Sequence, residues 1–213
     1  MSEETQTIVQ DQQKKNLKSI LINNKKIFIV ILILLLSSLF LYFFYIENKK
    51  NIKAEISEQY NTSIIGYGKN PDLTISEMKK IINIKDSTYS PLALYFLLDN
   101  DLIDNKNEIN EYFDLLINDT KLEDEIKELI IYKKGLYNAN TATEDELLSI
   151  LNPLIKSENL WKSHSIFLIA EYFYSKDEKQ KSKEFFEKII EMENSNPQIK
   201  IEAQKRLQRD FSV

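Results

Sequence analysis

The 213 residues carry 33 acidic and 28 basic side chains for a formal net charge of −5, with one histidine, no cysteine, three glycines and four prolines. Scattered cations under a net negative charge give no electrostatic footprint for nucleic acid, and without cysteine there is no disulfide framework, thiol nucleophile or thiolate metal site. So few glycines and prolines leave an all-β fold without its turns, and helices are the economical answer.

The chain begins with the polar run MSEETQT. Residues 8–22 then set Ile8, Val9, Leu17, Ile20, Leu21 and Ile22 among lysines and glutamines, which suits a short interfacial helix or an unstructured tail. Between Lys26 and Glu47 there is no charge, and Ile27 to Ile46 is apolar except for Ser37, Ser38, Tyr42 and Tyr45. At about 1.5 Å per residue, roughly 20 such residues cover the ~30 Å hydrocarbon layer of a bilayer. A cleaved signal would have a shorter apolar run and a small-x-small site, whereas this one ends in Tyr-Phe-Phe-Tyr-Ile. The alternative is a buried core helix. Lys14, Lys15, Lys18, Lys25 and Lys26 precede the run, against Lys49, Lys50 and Lys53 after it, so the positive-inside rule places the N-terminus in the cytoplasm. The expected organisation is a cytoplasmic tail over 1–26, a transmembrane helix over 27–46 in contact with the lipid bilayer, a linker helix over 47–70, and a translocated helical domain over 71–213.

Past the span, Ile52, Ala54, Ile56, Tyr60 and Ile64 keep a roughly helical period until GYGKNPD, residues 66–72, breaks it. Eight apolar-periodic blocks follow, over about 73–84, 90–103, 106–118, 122–137, 143–155, 160–175, 178–192 and 197–209. They are separated by joints rich in the Asn, Asp, Thr and Ser that start helices. Thr143 with Glu146 three residues on reads as a capping box. The segments Tyr112–Ile117, Leu147–Leu151 and Phe185–Ile190 recur about 36 residues apart, near the tetratricopeptide period, and are taken as the second helices of three successive pairs. In the last pair Ile166, Ile169, Ala170, Phe173, Ser182, Phe186 and Ile189 fall on the apolar and small positions of that repeat. Ala93 and Gly135 are the candidate close-crossing points of the earlier pairs. The fold class expected is all-α, one transmembrane helix followed by a tetratricopeptide-like (TPR-like) α-hairpin solenoid, although an irregular helix bundle would satisfy part of the pattern.

Nothing in the chain calls for catalysis. His164 is the sole histidine, and Ser163 and Ser165 sit in a periodic helix without a nucleophile elbow. The carboxylates of Glu123, Asp124 and Glu125, and of Asp145 and Glu146, fall at helix starts, where negative charge suits the helix dipole. Gly66-Tyr67-Gly68 lacks the context of a phosphate loop. A non-enzyme without cofactor, metal or small-molecule substrate is expected.

Residues 140–210 carry Leu151-x-Pro153-Leu154, then Asn159-x-Trp161, a last hairpin, and a Pro197-started helix with Ala203 and Arg206. In these features, and in the layout of basic tail, span, linker helix and hairpins, the chain resembles the YfgM family of TPR-like single-pass inner-membrane proteins. It departs from that family's Ala- and Gly-rich habit, with Lys176-Asp177 at a turn where Gly is usual. The resemblance implies a bacterial inner-membrane protein whose domain faces the periplasm and associates with the Sec translocon, periplasmic chaperones and their clients. It implies recognition rather than chemistry, with a partner segment lying on a concave face made by the first helices of the pairs. On that face the expected protein-binding residues are Tyr132, His164, Phe167, Glu171 and Tyr174, aromatic anchors among them, although each could instead pack on a neighbouring helix. Trp161 reads as a core plug between hairpins. A dedicated assembly factor or structural subunit of one envelope complex, for cytochrome maturation or outer-membrane assembly, is the alternative role; a regulator acting through the cytoplasmic tail is a third.

Overall fold

The computed structural model describes residues 25–211; the expected cytoplasmic tail, with or without its interfacial helix, lies over residues 1–24 outside them. The chain divides into two compact units, Met1–Glu55 and Ile56–Val213. No strand occurs among the described residues.

The described part of the first unit is helix α1, Lys25–Gly66, up to Glu55. Its apolar window is 0% buried, and Leu34, Phe40 and Phe44 are each more than half exposed. This removes the buried-core reading. So long an apolar surface needs an apolar partner, and the helix is long and apolar enough to cross a membrane, a property shared by membrane anchors and signal sequences.

The second unit holds the end of α1 and eight further helices packed as consecutive pairs: α2 Pro71–Ile84, α3 Tyr89–Asp99, α4 Lys106–Asp114, α5 Asp124–Asn138, α6 Glu144–Lys156, α7 Lys162–Ser175, α8 Lys179–Glu191 and α9 Pro197–Asp210. Each coincides with one expected block. The joints act as read: Asn70, Asn105 and Asn196 accept hydrogen bonds from the first free N–H groups of α2, α4 and α9, and Thr143 and Glu146 form the capping box of α6. Ile56 is buried, and the Ser63 carbonyl accepts a 3.0 Å bond from Thr74 Oγ1, so the last turns of α1 belong to this unit.

Two local features differ from the periodicity. The block at 90–103 stops at Asp99, because Asp101 turns left-handed at φ 51° and the Leu102 N–H reaches back to the Leu97 carbonyl at 2.9 Å, a Schellman closure. Helix α4 ends in a π-helical turn, Leu115–Asp119, that buries Leu116. The pairing also differs at the start. Spacing alone matched α3 with α4, whereas α3 packs most closely on α2. Lys85 turns left-handed at φ 61°, Asp86 Oδ1 accepts from the N–H groups of Thr88 and Tyr89 at 2.8 Å, and Ser90 Oγ donates to the Ile81 carbonyl at 2.7 Å. That tight corner sets α2 and α3 side by side.

Three apolar cores follow one another along the unit. The first centres on Met78, Ile81, Leu94, Leu97 and Phe113, the second on Leu147, Leu151, Ile169 and Phe173, the third on Ile166, Ala170, Phe186 and Ile189. Ile117 packs against the first and second, and Ile155 and Phe185 against the second and third. Small residues sit at the crossings. Ala93, Ala170 and Ser182 are fully buried, and a β-carbon on Gly135 would stand 2.5 Å from Leu151 Cδ2 and 3.0 Å from its Cγ.

Leu151 is itself fully buried, so its side chain can yield only by displacing the neighbours packed around it. Gly135→Ala should therefore lose stability on balance, with about 1–3 kcal/mol of overpacking set against about 1 kcal/mol gained in helix propensity. Leu151→Val should be less damaging in the Gly135→Ala background than alone, measured by urea unfolding of the chain in detergent. Phe186→Ala should cost about 3–5 kcal/mol in the same assay, since it empties the centre of the third core.

Candidate functional site

The joint between α6 and α7 is held by Asn159. Its Nδ2 donates to the Leu154 carbonyl at 2.9 Å and its Oδ1 accepts from the Trp161 N–H at 2.8 Å. This pins Trp161 against α5, where its ring stacks on Tyr132 with centroids 5.0 Å apart and planes 22° from parallel. His164, one turn into α7, closes the cluster at 5.1 Å from the Trp161 ring and 5.9 Å from Tyr132. All three rings are half-buried, while neighbouring Leu160 is 72% exposed. Burial pushes the Tyr132 hydroxyl up and the His164 imidazole down from their ordinary values, and His164 Nδ1 is buried without a hydrogen-bond partner. Trp161 packs on the second core as well, as a plug between hairpins.

The remaining expected residues run down the same row of α7, and each meets another element of the chain. Phe167 sets its ring edge-on to Phe186 of α8 at 5.4 Å. Glu171 takes a two-pronged ion pair from Arg206 of α9, at 2.6 and 2.9 Å. The Arg206 guanidinium lies 4.3 Å over the Tyr174 ring and also pairs with Asp210, and Tyr174 meets Phe211 at 5.9 Å. The row therefore has two ends. Tyr132 and His164 share an aromatic cluster with Trp161, whereas Phe167, Glu171 and Tyr174 are half-covered by α8, α9 and Phe211.

A second surface was not foreseen. A cleft of about 640 Å³ opens between the N-terminal turns of α4 and α6, above the C-terminal turn of α5. Its floor is a pair of amides: Asn110 Nδ2 donates to Asn138 Oδ1 at 3.1 Å and Asn138 Nδ2 returns the bond to Asn110 Oδ1 at 2.8 Å. Lys106 and Lys134 line it from α4 and α5, Asp145 and Glu146 from α6. The Glu146 carboxyl is held below the ordinary carboxylate range first by its hydrogen bond from the Thr143 N–H. The sequence signal was present in the joint Asn138-Ala-Asn-Thr, but in a chain so rich in asparagine no single one stands out. No protein family, curated protein or solved structure matches the chain.

The lowered His164 pKa gives the aromatic cluster a pH signature. The unfolded chain takes up the proton near the ordinary value of 6.5 and the folded chain only at lower pH, so this contribution to stability is present above 6.5 and is lost as pH falls through the folded value. Stability measured between pH 7.5 and 5.5 should fall more steeply in the parent chain than in His164→Phe. Trp161, the only tryptophan, should report the same titration by its fluorescence.

Proposed function

We propose that the chain is a membrane-anchored, non-enzymatic helical-repeat scaffold of the bacterial inner membrane, in the manner of the YfgM-like proteins it resembles. In this reading α1 anchors it through residues 27–46, the tail stays in the cytoplasm, and the domain from residue 71 onward meets proteins at the periplasmic face. The partners in view are the Sec translocon together with periplasmic chaperones or the clients they receive. The observation that carries the reading is the occurrence in one chain of a helix with an exposed apolar stretch and of a stack of helical hairpins. The first suits insertion in a bilayer, and the second is an architecture that offers extended faces to other proteins. The Tyr132–Trp161–His164 cluster, with Leu160 exposed beside it, supplies aromatic area of the kind that anchors interfaces at low entropic cost.

The topology is checked first by protease on intact spheroplasts. The helical domain should be cut, and protection of that domain would overturn the orientation. Crosslinking of the full chain in native membranes should then return translocon subunits with a spread of unrelated envelope proteins. Recovery of one complex at fixed stoichiometry without the channel would instead favour a dedicated assembly factor. Trp161→Ala combined with Leu160→Ser should reduce the captured set while leaving the chain anchored.

A further inference from the structure

The cleft between α4 and α6 has a hydrogen-bonding capacity that can be counted. Both hydrogens of the Asn110 amide are committed, to Asn138 Oδ1 at 3.1 Å and to the Lys106 carbonyl at 3.0 Å. Both hydrogens of the Asn138 amide are committed too, to Asn110 Oδ1 at 2.8 Å and to the Lys134 carbonyl at 2.9 Å. Each side-chain carbonyl accepts one of these bonds and keeps a second lone pair. The floor thus offers acceptors and no donors. It is also rigid, since Asn138 is only 4% exposed and the amide pair ties α4 to α5.

The rim carries both signs of charge, and Lys106 attracts Glu146 across the cleft without a direct salt bridge. Lys106 spends one hydrogen on Thr141 Oγ1 at 2.7 Å, and among the described residues neither it nor Asp145 or Glu146 enters an ion pair. Lys134 instead pairs with Asp114 at 2.6 Å. One side of the opening therefore presents the Lys106 ammonium on α4 with hydrogens to spare, and the other presents Asp145 and the Glu146 carboxylate, of which Oε2 accepts from the Thr143 N–H at 2.8 Å. A volume of about 640 Å³ lies within the roughly 300–1,000 Å³ typical of ligand sites.

We propose that this cleft binds a short extended, mixed-charge peptide segment of a partner protein. Extended main chain is the form of polypeptide whose N–H groups remain unused, as the acceptor-only floor requires. An acidic side chain of the segment meets Lys106, and a basic one meets Asp145 and Glu146. The cleft is separate from the aromatic cluster: Lys134 follows Tyr132 by two residues, about 200° around α5 at roughly 100° per residue. The proposal rests on the protein-binding reading and gives it a second surface with its own chemistry.

The test is fluorescence anisotropy of capped, dye-labelled peptides Lys-Ala-Ser-Ala-Ser-Glu and Glu-Ala-Ser-Ala-Ser-Lys, titrated with the full chain in detergent beside a neutral Gly-Ser peptide of equal length. Saturable binding is expected for at least one charged peptide and not for the neutral one. Lys106→Glu and Asp145→Asn, both at exposed positions, should each weaken it about threefold and together about tenfold, the size usual for exposed charge pairs. Unchanged thermal melts would show that both variants fold. Absence of saturable binding, equal binding of the neutral peptide, or indifference to both substitutions would overturn the cleft proposal. Crosslinking from native membranes with the doubly substituted chain separates the two readings: continued capture of partners beside failed peptide binding removes the cleft and leaves the scaffold standing.

Discussion

The close approach of paired helices is the constraint on which the rest of the domain depends. A helix with one apolar stripe must bury it against a neighbour, and the distance at which two helices meet is set by the side chains at the crossing. Here those positions hold Gly135, Ala170, Ser182 and Ala93. Leu151 fills the space that any side chain on residue 135 would need. Because each crossing is local in sequence, the apolar interior forms three cores in succession, bridged by Ile117, Ile155 and Phe185. Such an interior leaves long lateral faces along the stacked pairs.

The turns between helices show how the chain does without glycine. At the end of α3 and at the end of α7 the left-handed position is taken by Asp101 and Asp177, at φ 51° and 60°, and each is followed by the long return bond of a Schellman closure. Aspartate tolerates this conformation better than most residues. The Lys176-Asp177 turn, which looked like a departure from a glycine-bearing hairpin, therefore performs the same geometry with another residue. Two of the three asparagine-proline steps, Asn70-Pro71 and Asn196-Pro197, work at the opposite end of a helix. In each, the asparagine caps while the proline occupies a position whose N–H has no helical acceptor.

The eight helices of the domain were legible because each carries an apolar stripe bounded by capping residues, and both signals are local. What spacing could not give was the partner of α3. A repeat period counts residues, whereas the corner from Lys85 to Ser90 is built by one left-handed residue and two side-chain bonds. The overrun of α3 has the same origin: Leu102 and Ile103 continue the apolar period, yet they pack on the first core from the loop. The row from His164 to Tyr174 was readable as one face of a helix from its spacing of three and four. Which neighbours meet that face was not, because Arg206 and Phe211 lie more than thirty residues away and approach it only once α9 has docked. The cleft was less visible still. Its floor joins Asn110 to Asn138 across two helices, and neither residue is unusual in its own joint.

Helix α5 brings these threads together. Within seven residues it carries Tyr132 for the aromatic cluster, Gly135 for the crossing with α6, and Lys134 and Asn138 for the cleft. The crossing residue, Gly135, stands between Tyr132 and Asn138 on the helix that carries both surfaces. A shift of α5 by a few tenths of an ångström would move the Tyr132 ring relative to Trp161 and, at the same time, the Asn138 amide relative to Asn110. The amide pair limits such displacement through two opposed hydrogen bonds, at 3.1 and 2.8 Å. Both faces are therefore carried by one helix whose close seat against Leu151 is set at Gly135, a residue of neither face.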